Sequence, residues 1–163
     1  ATFFGLRASG RRFVFVVDHS GSMAGEPLKR AKEELMKCLS HLPQHVEAHV
    51  VFFDDNVLSE PGMYRKLHRR NVESIQKWVD RISEGGGTNV NAGMKCVFSR
   101  RQLPDAIFLL TDGEFDTDTP QFVRQLNPDG NVTINTVALV SNGGEYLLKQ
   151  IARENKGDYR FVP

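Results

Sequence analysis

Short runs of consecutive apolar residues alternate along the chain with stretches where apolar residues recur every three or four positions. Arg12–Val17 (RFVFVV) reads as a buried strand. Pro27 then stands at a first helical position, and Leu28, Ala31, Leu35, Leu39 and Leu42 are spaced 3, 4, 4 and 3, a helix with one buried face that Pro43 ends. Val46–Phe53 is a second strand. Asp54-Asp55-Asn56 is turn chemistry leading to a short third strand near Val57–Ser59, which Pro61 and Gly62 stop. Asn71 is expected to cap a helix carrying Val72, Ile75, Val79 and Ile82 on one face. Gly85-Gly86-Gly87 interrupts it, and Asn89 caps another helix reaching about Arg100. Asp105–Thr111 is a buried strand, Thr119-Pro120 opens a helix through Leu126, and Val132–Val140 is a strand. Glu145–Asn155 is a helix closed near Gly157, and Tyr159–Val162 a last strand. Phe3, Phe4 and Leu6 are expected to pack on the sheet edge.

Strand–helix alternation of this kind implies an α/β fold: a doubly wound, mostly parallel six-stranded sheet with helices on both faces. The tight step into the third strand makes one short antiparallel edge. There is no internal repeat, low-complexity tract or linker, and 163 residues suit one domain, 1–163 with a core over about 12–162. In such sheets ligands bind beyond the carboxyl ends of the strands, where strand order reverses.

Composition narrows the function classes. Lys plus Arg (21) nearly cancels Asp plus Glu (20), so no general attraction to nucleic acid or anionic membrane is expected. The longest apolar runs, Phe13–Val17 and Ala106–Leu110, are five residues each; a membrane span needs about 20, so direct membrane insertion is not expected. The start at Ala1 reads as a piece excised from a longer protein, with any targeting segment outside it. Cys38 and Cys96 lack metal spacing and read as buried reduced thiols, with a single disulfide between them as the alternative.

Two loops after strands are unusual. Strand one ends in Asp18-His19-Ser20-Gly21-Ser22, and the strand Ala106–Thr111 ends in Thr111-Asp112-Gly113; between them lies Gly86-Gly87-Thr88-Asn89. All these side chains are hard oxygen donors, which suit Mg²⁺, Mn²⁺ or Ca²⁺ rather than Zn²⁺ or Cu²⁺. Three hydroxyls and two carboxylates are fewer than the about six oxygens that Mg²⁺ takes, which leaves room for an acidic group from outside.

Asp18-x-Ser20-x-Ser22, then Thr88, then Thr111-Asp112-Gly113 resembles the metal-ion-dependent adhesion site of von Willebrand factor type A domains, and the element order matches from about Arg12 to Val162. The resemblance implies that Ser20 and Ser22 bind the metal directly and that Asp18 acts through water and hydrogen bonds. It also implies that Thr88 is a direct ligand in the ligand-competent state and that Asp112 reaches the ion through water. A partner protein's Asp or Glu would complete the coordination. His19 occupies a variable slot. Glu114, Asp116 and Asp118 crowd the loop after Asp112 as an acidic rim, a solvated loop or a holder of a second cation; Asp54 and Asp55 are simple turn residues, or one of them supports the site from behind. A scaffold in which the metal only stabilises the loops is the alternative.

Other constellations read as weaker. His41, His45 and His49 are four apart, but Pro43 breaks any helix there, and strand positions four apart lie ~13 Å from each other. Asp18, His19 and Ser20 are a triad in composition only, without a Gly-x-Ser-x-Gly elbow. Gly85-Gly86-Gly87-Thr88 lacks the Gly-Lys ending of a phosphate loop. An aspartate-based phosphohydrolase wants a second Asp where Ser20 stands. The basic stretch Arg65–Arg70 reads as a solvated face. The expectation is therefore a binding module, not an enzyme.

Overall fold

The computed structural model describes residues 1–163. The chain runs β1 (Thr2–Phe3), β2 (Leu6–Arg7), β3 (Arg12–Asp18), a 3-10 turn (Gly21–Met23), α1 (Glu26–His41), β4 (Glu47–Phe53), β5 (Val57–Ser59) and β6 (Arg65–Lys66). It continues through α2 (Arg69–Asp80), α3 (Val90–Phe98), β7 (Ala106–Thr111), α4 (Thr119–Leu126), β8 (Thr133–Leu139), α5 (Glu145–Glu154) and β9 (Tyr159–Val162). The main sheet has the order β5-β4-β3-β7-β8-β9. Its β3, β4, β7, β8 and β9 pairings are parallel and β5 is an antiparallel edge.

Alternation along each central strand divides the core in two. Phe13, Phe15, Val17, Phe52, Phe108 and Leu110 face α1 and α2, while Val14, Val16, Val51, Phe53, Ile107 and Leu109 face α3, α4 and α5. Sandwiched this way, β3, β4, β7 and β8 are buried on both faces, while the edge strands β5 and β9 stay partly exposed. Burying each large side chain contributes roughly 1.5–3 kcal/mol, so the strands are rigid supports for the loops at their ends.

Several details depart from the sequence expectations. The sheet has a seventh strand: β6 pairs antiparallel with the start of β4, Glu47 opposite Lys66. Two charged residues carry no hydrophobic signal, so this strand is invisible in the pattern. Phe3 and Leu6 belong to a separate two-stranded ribbon, β1–β2, and not to the sheet edge. Phe3 is fully buried edge-on against Phe15 and Phe108, with centroids at 5.3 and 5.7 Å, over the middle of the sheet. The second helix starts earlier than expected, with His68 and not Asn71 at its N-cap. Asn71 instead donates from its amide to the Lys66 carbonyl at 2.8 Å, tying β6 to α2. Ile82 lies beyond that helix, buried all the same.

Cys38 and Cys96 are both free. Cys38 packs in the core below α1 and Cys96 against the core on the other face, so the sheet separates them and a disulfide is excluded. Burial pushes the Cys38 thiol up to about 11, an inert group.

Candidate metal-binding site

β3 and β7 are neighbours, so Asp18 and the Thr111-Asp112 pair emerge side by side although 93 residues separate Asp18 from Thr111. Asp18 is fully buried and both its oxygens are engaged. Oδ1 accepts the Ser20 N–H at 2.7 Å, and Oδ2 accepts the Thr111 hydroxyl at 2.7 Å. Ser20 Oγ lies 3.1 Å from Ser22 Oγ, and the Ser22 hydroxyl donates to Asp112 Oδ1 at 2.9 Å. Four of the five expected ligands thus form one hydrogen-bonded chain. The role of Thr111, which pins Asp18, was missed by the motif reading; a hydroxyl at the last position of a buried strand was the available signal.

Burial, together with the charge of Asp18, raises the Asp112 carboxyl above its ordinary value, against the hydrogen bond from Ser22 that lowers it. Two carboxylates share a confined space with no Lys or Arg beside them, an arrangement that a cation would relieve.

Thr88 stands apart from this chain. It is half-buried at the end of the Gly85–Gly87 loop, and its hydroxyl bonds to none of the other four. What brings it near is its loop, which touches the first one through backbone bonds. Gly21 N–H donates to the Gly86 carbonyl at 2.9 Å, and Gly85 N–H donates to the His19 carbonyl. The loop is also held from behind. Asp54 Oδ2 accepts the Gly86 N–H at 3.0 Å, and Asp55 Oδ2 accepts the Gly87 N–H at 2.9 Å. The glycines are required by this approach: a Cβ on Gly85 would lie 2.3 Å from Asp54 Oδ2, and one on Gly86 or Gly87 2.5 Å from an Asp55 oxygen. Asn89 then caps α3, its side chain accepting the Ala92 N–H at 3.0 Å, as expected. Asp54 Oδ1 also accepts the Asn56 N–H at 2.9 Å, the turn bond expected of it, so Asp54 both closes its own turn and holds the Thr88 loop, while Asp55 holds that loop at Gly87.

His19 is a buried strut between the same loops. Its Nδ1–H donates to the Ser83 carbonyl at 2.8 Å, and Nε2 faces Asp54 Oδ1 at 3.6 Å. Burial alone would raise the Asp54 carboxyl, but hydrogen bonds from the Gly86 and Asn56 backbone and the nearby His19 outweigh it and hold Asp54 below its ordinary value.

Glu114, Asp116 and Asp118 are exposed and take no part in the hydrogen-bonded chain; Glu114 lies against Gly143 in the loop after β8. No three His, Cys, Asp or Glu side chains converge as a metal-binding group anywhere in the chain, so the candidate site rests on its hydroxyls. That also disposes of the histidine series. His41 is tied to its own helix at the Lys37 carbonyl, and His49 is buried against Ser59. Burial, then the Arg100 charge, holds the His49 ring down to about 4.

A doubly wound sheet with an Asp-x-Ser-x-Ser loop beside a Thr-Asp-Gly loop defines a class. The family profile described as von Willebrand factor type A domain matches residues 11–161, and the chain belongs to that family. Domains of this family generally serve protein–protein interaction and adhesion. The chain is 32% identical over 135 residues to inter-alpha-trypsin inhibitor heavy chain H1 of Mesocricetus auratus, covering 74% of this chain and 15% of that one. A von Willebrand factor type A structure from Catenulispora acidiphila superposes with a TM-score of 0.83 at 21% identity, covering 96% of this chain and 39% of that one. Proximal thread matrix protein 1 of the mussel byssus, solved with zinc in its adhesion-site motif, superposes at 0.70 with 18% identity, covering 93% of this chain and 41% of that one. The chain spans well under half the length of the curated relatives it matches. No helix is long and apolar enough to cross a membrane.

Proposed function

We propose that this domain captures an acidic residue of a partner protein through a divalent ion, Mg²⁺ or else Mn²⁺ or Ca²⁺, held by Asp18, Ser20, Ser22, Thr88 and Asp112. The observation that carries this is the hydrogen-bonded chain Ser20–Ser22–Asp112 above a buried Asp18, whose donors are all hard oxygens and whose Asp112 carboxyl is raised by burial and a like charge. The residues present fit a hard cation. The bound ion would supply an electrophilic point for a carboxylate. The protein's own contribution is to hold the serine hydroxyls by short bonds and to keep Asp18 fixed by Thr111.

Binding without turnover is the reading the side chains favour. His19 is committed to Ser83 and faces Asp54, so it does not serve Ser20 or Ser22 as a base, and the Asp112 carboxylate that accepts from Ser22 is the one this reading assigns to the ion. Asp18 is buried, each of its oxygens accepts a hydrogen bond, and Ser20 stands where a phosphohydrolase would need its second Asp, which argues against phosphohydrolase chemistry. The zinc in the mussel protein's motif is consistent with a cation on this constellation.

One observation favours the scaffold alternative: the chain of four closes without Thr88. The test is capture from a native extract with Mg²⁺ and with EDTA, wild type against Thr88→Ala. Capture that needs Mg²⁺ and Thr88, and that an Asp→Asn or Glu→Gln change in the captured protein removes, supports the proposal. Capture indifferent to EDTA or to Thr88→Ala means that the metal only stabilises the loops.

A further inference from the structure

The charges of this nearly neutral chain are separated between the two ends of the sheet. The loops around the candidate site, residues 18–25, 54–56, 82–89, 112–118 and 140–144, contain no Lys or Arg. The amino ends of β3, β4 and β7 instead gather Arg11, Arg12, Lys66, Arg100 and Arg101. There a groove of about 340 Å³ is lined by Arg11, Arg12, His45, Glu47 and Lys66, with no hydrophobic side chain among them. A second hollow of about 360 Å³ adjoins it, lined by Met63, Tyr64, Arg100, Arg101 and Gln102. The guanidinium of Arg12 sits over the Tyr64 ring at 4.9 Å and joins the two.

The cations here are only partly neutralised. Arg12 pairs with Glu47 at 3.0 Å, which holds it in place. Arg11 and Lys66 are exposed and are in no ion pair. Asp105 spends one oxygen on the Arg11 and Arg12 backbone N–H groups, at 2.7 and 2.9 Å.

We propose that this basic groove is a second binding surface, for a short acidic segment of a partner protein, independent of the metal. A groove without apolar lining recognises by charge, and Arg presents a fork that suits carboxylates. Glu47 and Asp105 interrupt the positive field. A continuous phosphate backbone would be repelled at those points, whereas carboxylates spaced along a peptide can settle between them. The domain then has two unlike ends, one taking an acidic side chain through a cation and the other through Arg and Lys directly.

The experiment uses a short fluorescent peptide alternating Glu and Gly, its Gln counterpart and single-stranded oligo-dT, with binding read by anisotropy. The Glu peptide should bind and the Gln peptide should not, with affinity falling roughly tenfold as salt rises through the range where the Debye length shrinks. EDTA and Asp18→Ala should leave this unchanged, whereas the pair Arg11→Glu and Lys66→Glu should cost about tenfold. Amide shifts in the unaltered protein should centre on His45, Lys66 and Arg101, which keeps the test valid if the double variant misfolds. Equal binding of Glu and Gln peptides, tighter binding of oligo-dT, loss with EDTA, or shifts centred elsewhere would each overturn it. Self-association of the chain that the Glu peptide fails to compete would overturn it as well, in favour of a second copy as occupant.

Discussion

The two sides of the candidate site are held in different ways. On one side Asp18, Ser20, Ser22 and Asp112 bond to each other, and the carboxylate of Asp112 is disfavoured by burial beside another negative charge. On the other side Thr88 bonds to none of them, and its loop is fixed by Asp54 and Asp55, whose oxygens accept glycine N–H groups. One carboxylate is raised and the other lowered. The first side has the electrostatics of a place awaiting a cation, while the second is already satisfied and acts as a fixture. On the proposed function, the first side would hold the ion and the second would present Thr88.

The largest effect should come from neither. Phe108 stacks on Phe15 at 5.3 Å and meets Phe3, so Phe108→Ala should cost about 3–5 kcal/mol in urea unfolding. Metal affinity of the folded fraction should hold; a parallel loss would mean that the site depends on the core more than on its own bonds. Next, Mg²⁺ at a hundred times its dissociation constant should stabilise the wild type by about 2.7 kcal/mol, and Asp18→Ala should erase that gain. A gain surviving in Asp18→Ala, seen by thermal melting, would remove the first side from cation binding.

Asp55→Ala should be milder, on the order of 1 kcal/mol or less in stability, because the Gly87 N–H it frees is exposed to water. Mg²⁺ affinity should stay within about twofold while metal-dependent capture falls severalfold. Equal losses in both would mean that the two sides are one unit.

The smallest effects are the titrations. Asp112 is raised in the folded chain, so folded protein binds that proton more tightly than unfolded, and without metal its contribution to stability falls as pH rises from the ordinary carboxylate range through the raised value. Asp54 is lowered, so its contribution is present above the ordinary value and lost as pH falls through the lowered one. Carbon-detected NMR of the two carboxyls should show these opposite displacements, and Mg²⁺ should bring Asp112 down while leaving Asp54 in place. Displacement of both in one direction would contradict the comparison.

The same contrast explains what could be read from the sequence. Asp18, Ser20 and Ser22 lie together at the end of an apolar strand, and Asp112 ends another, so local pattern finds them. Asp54 and Asp55 look like turn residues, because the glycines they clamp come some 30 positions later and only the fold brings them together. The two main faces of the core follow from strand alternation. Strand β6 and the β1–β2 ribbon do not, since two-residue strands have no period. Asn71 drew the helix start to itself by its capping preference, yet α2 begins earlier and uses that amide to fasten Lys66.

Everything proposed for the site depends on a divalent ion binding between these carboxylates and hydroxyls. Calorimetric titration of Mg²⁺ into metal-free protein tests it most directly. One ion should bind per chain, displaced by Mn²⁺, with no heat of binding in Asp18→Ala or Asp112→Ala. No heat at millimolar Mg²⁺ or Mn²⁺ in the wild type, or unchanged binding in Asp18→Ala, would contradict it.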